Sequence, residues 1–219
     1  MMKQILILVE GQTEEQFIKN IFSPYLNKFD VHLNPTIINT KLVKGGKNFK
    51  GGIDNYGQIK RDILHLTRNN SLYVTTFLDF YALPDDFPEK EKSKVRATSI
   101  EKVKFLENTF YKDINKVNFI PYLQLHEFEA ILFADIKGFE YCFEYNVVRG
   151  IAQIIQQFPN PEDINDNPYT APSKRILNVI PQYNKPFQGN LIALENGIDV
   201  VLSKCPHFLE WTEKLKSLG

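Results

Sequence analysis

Residues 4–9 hold a continuous apolar run, Ile5-Leu6-Ile7-Leu8-Val9, which the polar block from Glu10 to Glu14 ends. A run of that kind fits a strand covered on both faces, as in a parallel sheet. Thr13 followed three residues on by Gln16 predicts a capping box and a helix start. Phe17, Ile18, Ile21, Phe22, Tyr25 and Leu26 then recur at helical spacing. A second strand is expected within 31–40, followed by a Gly/Lys-rich loop over 41–52. Over 53–68, Ile53, Tyr56, Ile59, Ile63 and Leu66 share one helical face. Residues 71–78 predict a third strand, closed by Asp79, and Pro84 and Pro88 make 80–88 a loop. A helix with a charged outer face is expected over 92–111. A fourth strand is expected over 117–125, bent at Pro121, and a further helix from near Glu127.

Strands thus alternate with helices four times. That implies right-handed crossovers and an α/β fold with a mostly parallel four-stranded sheet flanked by helices. No strand pattern remains beyond about residue 140. There Pro161, Pro168, Pro172, Pro181 and Pro186 divide the chain into short helices. The expected organisation is an α/β domain over 1–139 with a helical C-terminal subdomain, 140–219, packed on it.

Composition adds limits rather than chemistry. With 219 residues, 43% apolar and 24% charged, the chain can build a core without disulfides or structural metal. Its 17 Phe and 10 Tyr are read as core packing. A formal net charge of zero excludes bulk attraction to nucleic acid, so any such contact needs a local patch or a partner subunit. Cys142 and Cys205 stand far apart, in no CxxC or zinc spacing, which fits a reducing compartment. The N-terminal apolar run is too short to span a membrane and has no small-residue cleavage site. A cytoplasmic location is expected.

In an open α/β sheet, ligands bind beyond the carboxyl ends of the strands. Strand one ends at Glu10, strand three at Asp79, and strand four at His126, Glu127 and Glu129. Carboxylates gathered on one edge repel one another and raise each other's pKa, and a divalent cation removes that cost. An all-oxygen donor set suits Mg²⁺ or Mn²⁺ rather than zinc. The plainer alternative makes Glu10 and Glu127 helix N-caps or first-turn partners of a helix dipole. His126 is either a general base or a packed polar residue. His65 and His207 fit amphipathic helices and are read as structural.

Basic residues offer a second theme. Lys44, Lys47 and Lys50 lie among four glycines, whose bare backbone can approach phosphate oxygens. The alternative is a solvated loop, and the spacing is not that of a Walker A motif. Lys174 and Arg175 follow Pro172-Ser173 at an expected helix start, placed to meet a phosphate or simply to face solvent. GxSxG, HExxH and GxGxxG patterns are all absent.

Glu10-Gly11-Gln12-Thr13-Glu14 after strand one, with Asp79 after strand three, resembles the Toprim domain of topoisomerases, primases and OLD-type nucleases. More narrowly, the chain resembles an uncharacterised bacterial family of Toprim-like proteins, often encoded beside an AAA-type ATPase in defence-like gene neighbourhoods. That likeness spans most of the chain. Its blocks include Leu78-Asp79-Phe80-Tyr81-Ala82-Leu83-Pro84, Gln124-Leu125-His126-Glu127-Phe128-Glu129-Ala130, Ala171-Pro172-Ser173-Lys174-Arg175 and Cys205-Pro206-His207-Phe208. The resemblance implies Glu10 as metal ligand or general acid/base, Asp79 as Mg²⁺ ligand, and nuclease chemistry on nucleic acid. It also implies an ATPase partner and leaves a homo-oligomer open. Toprim domains carry Asp-x-Asp after strand three, whereas this chain has Asp79-Phe80-Tyr81. The second carboxylate must come from Asp85 or Asp86, or from Glu127 and Glu129. A non-catalytic subunit of an ATPase complex, docking through its helical C-terminal half, is the alternative.

Overall fold

The computed structural model describes residues 2–38, 53–164 and 167–219. The first apolar run forms β1 (Lys3–Val9), with Ile5, Ile7, Leu8 and Val9 wholly buried. It lies between β2 (Val31–Ile37) and β3 (Tyr73–Asp79) and runs parallel to both, with Ile5 opposite Leu33 on one side and Tyr73 on the other. The fourth strand comes as two short pieces, β4 (Phe119–Ile120) and β5 (Leu123–Gln124), both parallel to β3. Pro121 separates them because it has no N–H to give to a ladder. Threonines of β3 span the gap. Thr75 Oγ1 donates to Ile120 O (2.6 Å), and Thr76 Oγ1 donates to Tyr122 O (2.7 Å) while accepting from Tyr122 N–H (2.9 Å). The sheet order is β2-β1-β3-β4, and every pairing is parallel, as the alternation of strands and helices predicts.

The helices are α1 (Gln12–Phe17), α2 (Ser23–Leu26), α3 (Tyr56–Leu66), α4 (Lys90–Ser93), α5 (Ser99–Ile114), α6 (Lys137–Cys142), α7 (Tyr145–Gln157), α8 (Pro172–Val179), α9 (Asn190–Asn196), α10 (Ile198–Lys204) and α11 (Pro206–Lys216). A π-helical turn, Ile18–Phe22, joins α1 to α2. On one face of the sheet, α3 and α5 bury Ile59, Ile63, Val103, Leu106 and Phe110 against Leu8, Val74 and Leu78. On the other, Phe17 and Phe22 pack with Phe208 and Trp211 of α11 against Ile5, Ile7 and Phe77. That second cluster continues into Ile151, Ile176, Ile192 and Leu202, so residues beyond 140 share a core with β1.

Three local expectations change. The Thr13–Gln16 capping box does not form: Gly11 is the N-cap of α1, and Thr13 is buried in its first turn. The single helix expected over 92–111 is broken: α4 ends at Ser93 and α5 starts at Ser99, where a different capping box forms. Thr98 Oγ1 accepts from Glu101 N–H (3.3 Å), and the Glu101 carboxylate accepts from Thr98 N–H (3.1 Å). The segment after Glu127 is a 3₁₀ helix, Phe128–Ala134, whose seven residues are all buried.

Glu162 fastens α11 to the rest of the chain. The N-cap of α11, Cys205, supplies no capping side chain. Instead the Glu162 carboxylate accepts from His207 N–H (2.8 Å) and Phe208 N–H (2.9 Å). Glu162→Ala leaves both buried donors without a partner, and it is expected to cost about 2–3 kcal/mol. Urea unfolding of this variant beside Glu162→Gln, which keeps one acceptor oxygen, checks this. Equal losses for the two would contradict the capping role.

Cys142 and Cys205 are both free. Among the described residues, no helix is long and apolar enough to cross a membrane.

Candidate functional site

Of the carboxylates expected at the strand ends, Glu10, Asp79 and Glu129 come together. Glu10 follows β1, and the first turn of α1 folds Glu14 back beside it. Gly11 permits this tight approach, since a Cβ there would stand 3.3 Å from Glu14 Oε2. Asp79 ends β3, and its Oδ1 accepts from Phe128 N–H (2.8 Å). That bond fixes the start of the 3₁₀ helix, which presents Glu129 from its first turn. Into the centre comes Lys185. Its Nζ lies 3.2 Å from Glu14 Oε1, 3.6 Å from Asp79 Oδ2 and 3.1 Å from Glu129 Oε2. The three carboxylates are 5%, 8% and 1% exposed, while the Lys185 side chain keeps 33% of its surface in solvent.

Local structure aims the lysine. It opens a π-helical turn, Lys185–Gly189, where Asn184 Oδ1 accepts from Phe187 N–H (3.2 Å). Gly189 closes that turn tightly, since a Cβ there would lie 2.8 Å from Tyr183 OH and 3.2 Å from the Phe128 ring. Lys185 Nζ also stands 5.8 Å from the centre of that ring.

One ammonium does not neutralise this cluster. Burial raises the Glu10 pKa to about 7, helped by Glu14 and opposed by Lys185. Burial likewise raises Glu129 to about 7, with Lys185 opposing and Glu127 reinforcing. Asp79 is pushed well above the ordinary carboxylate range by burial, against Lys185 and with the help of Glu14 and Glu10. For Lys185 itself, burial favours the neutral amine, but attraction to Asp79, Glu129 and Glu14 outweighs it and holds the pKa well above normal. Several polar atoms here have no hydrogen-bond partner: Glu10 Oε2, Glu129 Oε1, Tyr183 OH and Asn190 Oδ1. Asn190 ties together the residues beside Glu14 and Lys185, its Nδ2 donating to Thr13 O (3.2 Å) and Pro186 O (3.2 Å).

The donor chemistry fits a hard divalent cation. All the side chains are carboxylates, and buried oxygens on two of them lack partners. The geometry is not a ready cage: among the described residues, no three acidic, His or Cys side chains stand in metal-binding arrangement. Lys185 fills the space between them.

The other residues singled out from the sequence have separate roles. The Glu127 carboxylate accepts from Ser173 N–H at the start of α8, so it acts as the cap that the plainer alternative allows, though in trans. It still reinforces the charge on Glu10 and Glu129. His126 is wholly buried in a left-handed conformation (φ 62°). Its Nε2 lies 2.8 Å from Glu162 O and its Nδ1 3.0 Å from Tyr81 OH. A carbonyl only accepts, so Nε2 carries the proton, and the ring links β3's exit to the α11 cap rather than facing a substrate. Arg175 is occupied locally: Nε donates to Thr170 O (2.9 Å) and the guanidinium lies 5.0 Å from the centre of the Phe158 ring. Lys174 is exposed. Asp85 pairs with Lys90 (3.0 Å), and Asp86 accepts from Tyr56 N–H (2.8 Å), so the loop after β3 spends its acids elsewhere. Lys44, Lys47 and Lys50 lie outside the described residues.

Sequence reasoning gave no role to Glu14 or Lys185. Glu14 carried a signal, one helical turn from Glu10 within the same block. Lys185 carried none, since it lies 106 residues beyond Asp79 between Asn184 and Pro186.

Fold and site together define a parallel α/β protein with a buried, over-charged carboxylate cluster at the carboxyl edge of its sheet. The chain belongs to the family described as Domain of unknown function (DUF4276), whose model matches residues 9–216. That span includes every residue of the cluster. No curated protein matches the chain. Among solved structures, the C-terminal region of the Xanthomonas campestris pv. campestris OLD protein is similar, with 14% identity and a TM-score of 0.42 over 97% of this chain and 94% of that one. A likeness at that level leaves the site to be read from its own geometry.

Proposed function

We propose that the protein is a Mg²⁺- or Mn²⁺-dependent nuclease that hydrolyses nucleic-acid phosphodiesters. The observation behind this reading is the charge imbalance, with Glu10, Glu14, Asp79 and Glu129 set against the single ammonium of Lys185. A bound divalent cation would supply an activated water and stabilise the leaving oxygen. Glu10, Glu14, Asp79 and Glu129 would hold it. Burial raises Glu10 and Glu129 to about 7 in the metal-free protein, and a bound cation would draw both back to the ionised form that holds it. Exposed Lys174, with Lys44, Lys47 and Lys50, would position the phosphate backbone without reading bases. Glu127 and His126 hold α8 and the α11 cap in register with the cluster. The setting proposed is a cytoplasmic bacterial defence system with an AAA-type ATPase docked on the helices beyond residue 140.

One observation favours a second reading. Lys185 already bridges three carboxylates, as in a structural ion-pair network, and the loop after β3 returns no second acid. On that reading the chain is a non-catalytic subunit of the ATPase complex.

Cleavage assays separate the two. Plasmid, single-stranded DNA and RNA are incubated with the protein and Mn²⁺, with and without chelator, alone and with the ATPase. Cleavage is expected only with metal, and Glu10→Gln and Asp79→Asn are expected to slow it by about 10²–10⁴-fold. Activity that survives both substitutions would refute the assignment.

A further inference from the structure

We propose that Lys185 is a built-in counter-ion of the carboxylate cluster, and that its ammonium and a divalent cation are alternative occupants of one position. This rests on reading the cluster as a cation site. The ammonium lies within 3.6 Å of carboxylates from three separate elements: α1, the end of β3 and the 3₁₀ helix after Glu127. A cation bound by the same oxygens would have to stand where Nζ now stands, and two positive charges at that spacing repel strongly in a poorly solvated site. The surrounding atoms show the same incompleteness. Glu10 Oε2, Glu129 Oε1 and Asn190 Oδ1 are buried acceptors with no donor, so Lys185 satisfies the cluster only in part.

The lysine also has a way out. It enters on a short π-helical turn bounded by Pro186 and Gly189, and a third of its side chain remains in solvent. Withdrawing it needs rotation of a four-carbon stem and no movement of the sheet. Metal-free protein would thus stay assembled around Lys185, and loading would exchange one positive charge for two. The lysine lowers the apparent affinity for metal by the fraction of time it spends elsewhere.

The test is calorimetric titration of the full chain with Mn²⁺ at pH 7.5, comparing wild type, Lys185→Met and Lys137→Met, an exposed lysine on α6. Lys185→Met is expected to bind Mn²⁺ about tenfold more tightly or better, with Lys137→Met unchanged. Without metal, Lys185→Met is expected to melt about 10 °C below wild type, with Mn²⁺ closing the gap. Should Lys185→Met fail to fold, amine acetylation of wild type read by mass spectrometry takes its place. Lys185 should label slowly without metal and faster once Mn²⁺ is bound. Equal or weaker Mn²⁺ binding by Lys185→Met overturns the proposal, as does binding to neither protein or labelling that ignores metal. Cleavage is scored separately. An active wild type whose Lys185→Met form binds no tighter sinks this inference alone, and tighter binding without cleavage sinks the nuclease reading alone.

Discussion

Trp211→Ala is expected to lower the stability of the protein by about 3–5 kcal/mol, a large part of the 5–15 kcal/mol typical of a folded protein. Trp211 is 2% exposed and joins α11 to the sheet. Its ring stacks on Tyr122 at 4.1 Å between centres, with Phe22 at 5.2 Å, Phe208 at 5.6 Å and Phe77 at 5.9 Å. The indole N–H donates to Thr75 Oγ1 (2.9 Å), the same hydroxyl that bonds Ile120 O across the break in the fourth strand. Truncation therefore opens a cavity among aromatics and removes one hydrogen bond from that hydroxyl. Trp211→Phe keeps most of the stacking and loses the N–H, so its cost should be nearer 1–2 kcal/mol, on the order of one buried hydrogen bond plus a small void. Urea unfolding followed by circular dichroism measures both. Equal losses for Ala and Phe would mean that packing around Trp211 matters less than the structure indicates.

The second large effect is a fall in stability of the metal-free protein as pH rises from about 4.5 to above 7. Glu10 and Glu129 move from an ordinary value of 4.5 to about 7 on folding, chiefly through burial. Between those values the folded state binds more protons than the unfolded state, so stability drops with rising pH. Below pH 4.5 both states are protonated and nothing is lost. Above 7 the full penalty is in place, on the order of a few kcal/mol for the interacting pair together. Asp79, raised the same way, adds to the slope. Saturating Mg²⁺ should flatten the profile by favouring ionised carboxylates in the fold. Glu10→Gln with Glu129→Gln should flatten it without metal. His207 also contributes, since Glu107 and other acids raise its pKa against the effect of burial. Its stabilisation is complete below 6.5 and is lost only as pH climbs through the raised value, so His207→Gln isolates it. A metal-free profile that rises from pH 4.5 to 7 would contradict the whole electrostatic picture.

How much of this was readable in the sequence follows from the range of the forces involved. The parallel sheet and its strand ends were legible because burial on both faces writes continuous apolar runs such as Ile5–Val9, and Pro121 marks its own break. Glu10, Asp79 and Glu129 were legible because a strand end fixes where the next polar residue must go. Local capping was less so. Thr13 and Thr98 each stand three residues before a Gln or Glu, and only the second forms the box, because packing buries Thr13. Lys185 was out of reach, since a residue brought in by the tertiary fold leaves no periodic trace in its own neighbourhood. At His126 and Glu127 the plainer of the two alternatives holds. Their place beside the acids is real in sequence, but a left-handed turn at His126 sends its ring into the interior and leaves Glu127 to cap α8.

The central question is whether the carboxylates at the strand ends hold a metal. An anomalous difference map from a Mn²⁺-soaked crystal answers this directly. The map should show a peak bounded by Glu10, Glu14, Asp79 and Glu129, about 2.1 Å from the oxygens that bind it, with Lys185 Nζ swung away. An empty map at that position, with Lys185 still joining Glu14, Asp79 and Glu129, would contradict it.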